Sequence, residues 1–138
     1  MISKILIAYD GSEPSKKALN LGIELAKQMK AKLLILHVVN TCIESWGIPL
    51  NDAINTLKTV GDAKVKEALE IAKSQGVEAE GIVIEGEPSN KIVEVANIQG
   101  VDLIVMGNRG LSRFKRIFLG SVSQGVIEQS KIPVVVVK

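Results

Sequence analysis

Five aliphatic runs alternate with segments of helical periodicity along these 138 residues, and that alternation restricts the fold more than any other feature. The runs are residues 5–9, 33–39, 77–84, 101–106 and 132–137, rich in Ile, Leu, Val and Ala and nearly continuous in all but 77–84, where Glu78, Glu80 and Gly81 intervene. Strands of that composition are buried on both faces, as in a parallel sheet covered by helices on each side.

The intervening segments fit that reading. Pro14 sits where the first turn of a helix tolerates it, and Ala18, Leu21, Gly22, Leu25, Ala26 and Met29 then share one helical face. Ile54, Leu57, Gly61, Val65, Ala68 and Ala72 mark the inner face of a longer helix. Pro88 opens a third helix carrying Ile92, Val93 and Ala96, and Gly120-Ser121 opens the last. Right-handed crossovers leave few arrangements for five such strands. The expected fold is a single-domain α/β, doubly wound five-stranded parallel sheet spanning residues 1–138, in order 3-2-1-4-5, with helices on both faces. Its switch point lies between the first and fourth strands, where ligands bind at the carboxyl ends. Asp10 and Gly107 end those two strands, so both are expected at the crevice.

Composition narrows the class. With 46% hydrophobic and 23% charged residues the chain reads as globular. Tyr9, Trp46, Phe114 and Phe118 are its whole aromatic set, which implies an aliphatic core and argues against a base-stacking surface for single-stranded nucleic acid. A net charge of +2 is too small for general DNA binding. Cys42 stands alone, so a disulfide framework or a cysteine metal cluster is not expected. The opening residues read as a strand and turn rather than a signal peptide, and no apolar run approaches the roughly 18–20 residues that span a bilayer. A cytoplasmic protein without membrane contact is the expectation.

The charge is unevenly placed. All three arginines, Arg109, Arg113 and Arg116, fall with Lys115 between Gly107 and Gly120, and no acidic residue interrupts them. A glycine-rich, arginine-loaded loop running into a helix start suits an anion, phosphate above all. It is neither a Walker A loop nor a G-x-G-x-x-G fingerprint. Gly107 and Gly110 permit positive φ and close backbone approach, and Gly120 frees the amides that open the last helix. Ser121 and Ser123 add hydroxyl donors. Ser121 is equally readable as a simple helix cap, since Ser121-Val122-Ser123-Gln124 has the form of a capping box. The arginines read alternatively as a solvated loop, and Asp10 before Gly11 as turn chemistry. His37 reads as a satisfied strand histidine, Asp102 as structural and Cys42 as an incidental thiol. Trp46 with Ile43, Ile48 and Leu50 reads as a lid, an interface patch or packing on the body.

The combination resembles the universal stress protein family, and its nucleotide-binding branch in particular. The resemblance rests on Ala8-Tyr9-Asp10-Gly11-Ser12, Leu36-His37-Val38-Val39 and the run from Asp102 to Gly107. It rests further on the spacing G-x2-G-x9-G-[ST] through Gly107, Gly110, Gly120 and Ser121. It implies the adenine nucleotide alpha hydrolase-like version of the fold and an ATP site, with Mg2+ or Mn2+ accompanying the phosphates. By that resemblance Val38 contacts the adenine, with Ala8 and Met106 lining the same pocket. Asp10 lies near ribose and phosphates, with a divalent metal as its possible partner. Gly107, Arg109 and Gly110 border ribose and phosphates, and Gly120, Ser121, Val122 and Ser123 hold the phosphate tail. Segment 41–50 matches nothing assignable.

The last strand carries a separate message. In order 3-2-1-4-5 it is an apolar, β-prone edge, and pairing with its twin across a two-fold axis removes the hazard. The resemblance points the same way, to a homodimer through residues 133–137; burial beneath a helix is the alternative. The leading function is thus an ATP-binding, stress-responsive regulatory protein. Its competitors are a slow ATPase or a protein autophosphorylating at a loop serine such as Ser112, and a nucleotide-free protein-interaction module. Nucleic-acid binding ranks last.

Overall fold

A computed structural model describes residues 1–41, 50–108 and 120–138. Within them five strands, β1 (Lys4–Ala8), β2 (Lys32–Asn40), β3 (Ala79–Gly86), β4 (Leu103–Gly107) and β5 (Val134–Val137), form one sheet in the order β3-β2-β1-β4-β5. Every pairing is parallel. The helices are α1 (Glu13–Met29), α2 (Leu50–Ser74), α3 (Pro88–Ile98) and α4 (Ser121–Gln129). The doubly wound order expected from the sequence is the order observed. Arg109 and Gly110, with Ser112, Arg113, Lys115 and Arg116, lie outside the described residues, as do Cys42, Ile43, Trp46 and Ile48.

The two-residue period of the strands divides the core in two. Ile5, Ile7, Leu33, Ile35, Leu103 and Val105 pack with Ala18, Leu19, Ile23 and Ala26 of α1 and Val65, Ala68 and Ala72 of α2. Leu6, Leu34, Leu36, Ile104 and Met106 pack on the other face with Ile92, Val93 and Ala96 of α3 and Val126 of α4. β1 lies at the centre, its Ile5 facing Leu33 of β2 on one side and Leu103 of β4 on the other. All described helices begin at or beyond the carboxyl edge of the sheet, the consequence of parallel strands joined by helical crossovers.

Local boundaries differ from the sequence reading in an informative way. The strand expected at 77–84 runs from Ala79 to Gly86, because the Val77 amide turns back to the Ala72 carbonyl at the end of α2. β4 begins at Leu103, not Val101. The Val101 amide closes α3 on the Ala96 carbonyl, and the Asp102 carboxylate accepts from the Ser3 and Lys4 amides and the Ser3 hydroxyl. Those bonds, the Ser3 amide foremost, hold the Asp102 carboxyl below its ordinary 3.8 and tie the start of β4 to the start of β1. β5 starts at Val134, while the Pro133 carbonyl accepts from the Ile104 amide.

The face of α1 is rotated from the expected one. Ser15, Ala18, Leu19, Gly22, Ile23 and Ala26 are buried, Leu21 and Leu25 are partly buried, and Met29 is 42% exposed. The apolar band of this helix is wide enough that two stripes satisfy the same spacing. Gly22 selects between them, because only a residue without Cβ fits against the Ile7 side chain of β1. In α2, Leu57 is likewise half exposed instead of core. β5 is the edge the sequence reading made it, paired with β4 alone, and its four valines are half-buried.

Candidate functional site

The carboxyl ends of β1 and β4 end in turns with opposite demands. At β1 the Asp10 carboxylate accepts from the Ser12 amide at 2.8 Å, and Gly11 takes a left-handed φ of +83°. Ser12 then caps α1, accepting from the Ser15 amide, while the Ser15 hydroxyl donates to the Ser12 carbonyl. At β4 the reason for glycine is proximity. Gly107 has no positive φ, but a Cβ there would stand 2.5 Å from the Pro14 carbonyl carbon and 2.6 Å from the Ser15 nitrogen. The first turn of α1 therefore rests directly on the end of β4. Of the two uses expected for this glycine, close approach is the one it serves.

Asn108 follows and ties three elements together. Its amide donates to the Val137 carbonyl of β5 at 2.7 Å, and its side-chain oxygen accepts from the Gly120 amide and from the Ser123 hydroxyl. The residues that flank the arginine-bearing segment 109–119 are thereby joined through one carboxamide. Sequence reading passed over Asn108; the available signal was an amide residue immediately after a strand-ending glycine, where side-chain-to-backbone bonding is favoured.

The helix caps among the described residues at this edge, those of α1, α3 and α4, differ. Ser12 caps α1. At α3 the Glu87 carboxylate accepts from the Ser89 and Asn90 amides and from the Ser89 hydroxyl. The Asn90 amide is the largest of the influences that hold this carboxyl below its ordinary 4.5. The α4 N-cap is Gly120, and no side-chain bond caps it. Ser121 is the first helical residue, exposed, so the capping-box reading of Ser121 does not hold: the helix begins one residue earlier than that pattern requires. The Ser123 hydroxyl, 1% exposed, donates to the Gly120 carbonyl at 3.0 Å or to Asn108. The first-turn amides of α4 thus face the crevice without a side-chain cap, where the helix dipole favours an anion.

These ends enclose a cleft of about 420 Å³, within the range of small-molecule sites. Ala8, Asp10, Val38, Met106, Gly107, Gly120, Ser121, Val122 and Ser123 all line it. Of the eleven residues expected there, these nine are brought together, and the other two, Arg109 and Gly110, lie outside the described residues. Val38, Met106 and Val122, with Pro88 and Ile92 of α3, supply apolar walls; Ser12, Ser15 and Lys64 add polar groups that sequence reading missed. Lys64 was hidden because its helix was read only for its apolar face.

His37 lines the cleft with Nδ1 at 2.8 Å from the Tyr9 carbonyl, beneath Gly61, which is the satisfied strand position expected for it. Burial, with the Glu67, Asp10 and Glu13 carboxylates behind it, raises the Tyr9 phenol above its ordinary 10.0. Among the described residues no three His, Cys, Asp or Glu side chains cluster to hold a metal. Asp10 is the one carboxylate lining the cleft among them. A single carboxylate suits Mg2+ shared with phosphates and water better than an all-protein cage. No described helix is long and apolar enough to cross a membrane.

Comparison with known proteins agrees along the whole chain. The model of the universal stress protein family matches residues 1–138. Universal stress protein YxiE of Bacillus subtilis is 40% identical, with all of both chains covered. The solved structure of MJ0577 superposes with a TM-score of 0.86 at 32% identity, covering 100% of this chain and 96% of that one. MJ0577 is a universal stress protein of Methanocaldococcus jannaschii. A universal stress protein solved in complex with cAMP superposes with a TM-score of 0.72 at 30% identity, covering 99% and 96% of the two chains.

The role of Asn108 is open to direct test. Asn108→Ala removes the acceptor that holds Gly120 and should cost about 0.5–2 kcal/mol in urea unfolding, the range for losing a helix cap. Asn108→Asp keeps an acceptor and should retain most of that stability. Equal stability of wild type and Asn108→Ala would show that the carboxamide does not hold the two loop ends together.

Proposed function

The chain belongs to the universal stress protein family, and we propose that its cleft binds ATP and that nucleotide occupancy governs a regulatory, stress-response role in the cytoplasm. One observation carries the reading. Of the helix N-termini whose caps are among the described residues, those of α1, α3 and α4, only that of α4 has neither a hydroxyl nor a carboxylate capping it, and it opens on the cleft at the switch point. A polyphosphate suits those first-turn amides, since it supplies several acceptors to backbone donors. The relative solved with cAMP, an adenine nucleotide, supports the choice of base.

In this reading the adenine lies against Val38, Ala8 and Met106, and the ribose near Asp10 and Gly107. The phosphates meet the amides of Ser121, Val122 and Ser123 and the Ser121 hydroxyl beside Gly120, whose own amide is engaged by Asn108, with Arg109 and Gly110 bordering them. Ser123 contributes its amide, its hydroxyl being engaged inside the turn. Asp10 holds Mg2+ or Mn2+ jointly with the phosphates, which supply most of the charge. Two chains join through β5, whose unpaired edge of four valines is the place for a two-fold partner.

Calorimetric titration tests the site. A hydroxyl bond to a charged phosphate contributes about 1.5–3 kcal/mol, so Ser121→Ala should bind ATP roughly 10- to 100-fold more weakly than wild type. Unchanged affinity removes Ser121 from the site, and no binding by wild type at millimolar ATP with magnesium overturns the reading altogether. Sedimentation of the same protein should show a dimer; a monomer at all micromolar concentrations contradicts the β5 interface.

A further inference from the structure

Among the described residues Lys64 is the only lysine or arginine lining the cleft, and it enters from α2. That helix covers the face of the sheet shared with α1, whereas α4 covers the opposite face. Lys64 lies three residues beyond Gly61, on a flank turned toward the Asp10-Gly11-Ser12 turn. Its methylene stem crosses that turn: a Cβ on Gly11 would stand 3.3 Å from both Cδ and Cε. Gly11 therefore serves twice, taking the left-handed φ and leaving room for the stem.

Among the described residues the ammonium group forms no ion pair, although the Asp10 carboxylate lines the same cleft. The ion pairs among the described residues are Lys16–Glu13, Lys32–Glu78, Lys58–Glu85 and Lys91–Glu94, and none includes Lys64. Lys64 is half-buried beside a cleft whose other wall offers uncapped helix amides. Laying the stem down loses rotamer freedom and part of the hydration of the head, with no ion pair among the described residues in return. A bound anion supplies the missing partner.

We propose that Lys64 is a binding residue for the phosphate arm of the nucleotide, and that it makes the cleft discriminate phosphorylated nucleotide from nucleoside. This rests on the nucleotide reading above. The amides of α4 contribute directional hydrogen bonds from one face of the sheet, and Lys64 contributes a full positive charge from the other. A compact ammonium on a flexible stem suits a phosphate group whose orientation changes with metal occupancy.

Calorimetry with ATP and with adenosine separates the possibilities. Lys64→Gln should weaken ATP binding by roughly tenfold or more, the value of one charge-assisted bond, and leave adenosine binding unchanged. Lys64→Arg, which keeps the charge, should restore most of the preference for ATP, and raising the salt should narrow the gap between wild type and Lys64→Gln. Equal losses for ATP and adenosine would assign Lys64 a merely structural role, and no loss for either would make it a solvated lysine; both results overturn the inference while leaving the nucleotide site standing. A wild-type protein that binds neither ligand overturns the nucleotide reading and this inference with it.

Discussion

Leu6, Leu34, Leu36 and Ile104 point to one face of the sheet and Ile5, Ile7, Leu33, Ile35 and Val105 to the other, all of them shut from water. A parallel sheet buried on both faces needs helices on both, and right-handed crossovers deliver those helices to opposite faces only if the winding reverses. Here it reverses between β1 and β4. Chains leaving those two strands diverge, and the gap between them is the cleft. The polar chemistry sits there because it is the switch point of the sheet, at the carboxyl ends of its central strands.

Capping then decides which part of the cleft accepts charge. Ser12 and Glu87 satisfy the first turns of α1 and α3 from within the chain, and the Glu87 carboxylate also repels an anion at α3. Gly120 leaves α4 without that internal ligand, while Asn108 fixes where α4 begins by holding its N-cap amide. Gly107 completes the frame, since its missing Cβ lets the first turn of α1 lie on the end of β4. Described elements thus bracket the segment 109–119, which carries every arginine in the chain.

Much of this was legible in the sequence, for a physical reason. Strand order follows from the aliphatic runs and crossover handedness, which need no side-chain detail, and it placed Asp10 and Gly107 at one crevice. The rest depended on contacts that spacing does not encode. Two apolar stripes on α1 satisfy the same period, and only the fit of Gly22 against Ile7 chooses between them. The S-x-x-Q pattern at Ser121 imitates a cap, but the Asn108 bond to the Gly120 amide sets the helix start one residue earlier. Asn108 and Lys64 were invisible because their significance lies in what the fold brings beside them, twelve residues away for the one and on a separate helix for the other.

The central claim is that the uncapped first turn of α4 is where the nucleotide's phosphates bind. Residue-resolved amide NMR of the wild-type protein, titrated with ATP and magnesium, tests it most directly. The account predicts that the largest shifts fall on the amides of Ser121, Val122 and Ser123, with smaller ones at Asp10 and Val38. Saturable binding that leaves the α4 amides unmoved, and shifts those of Ser89 and Asn90 or of β5 instead, would contradict it.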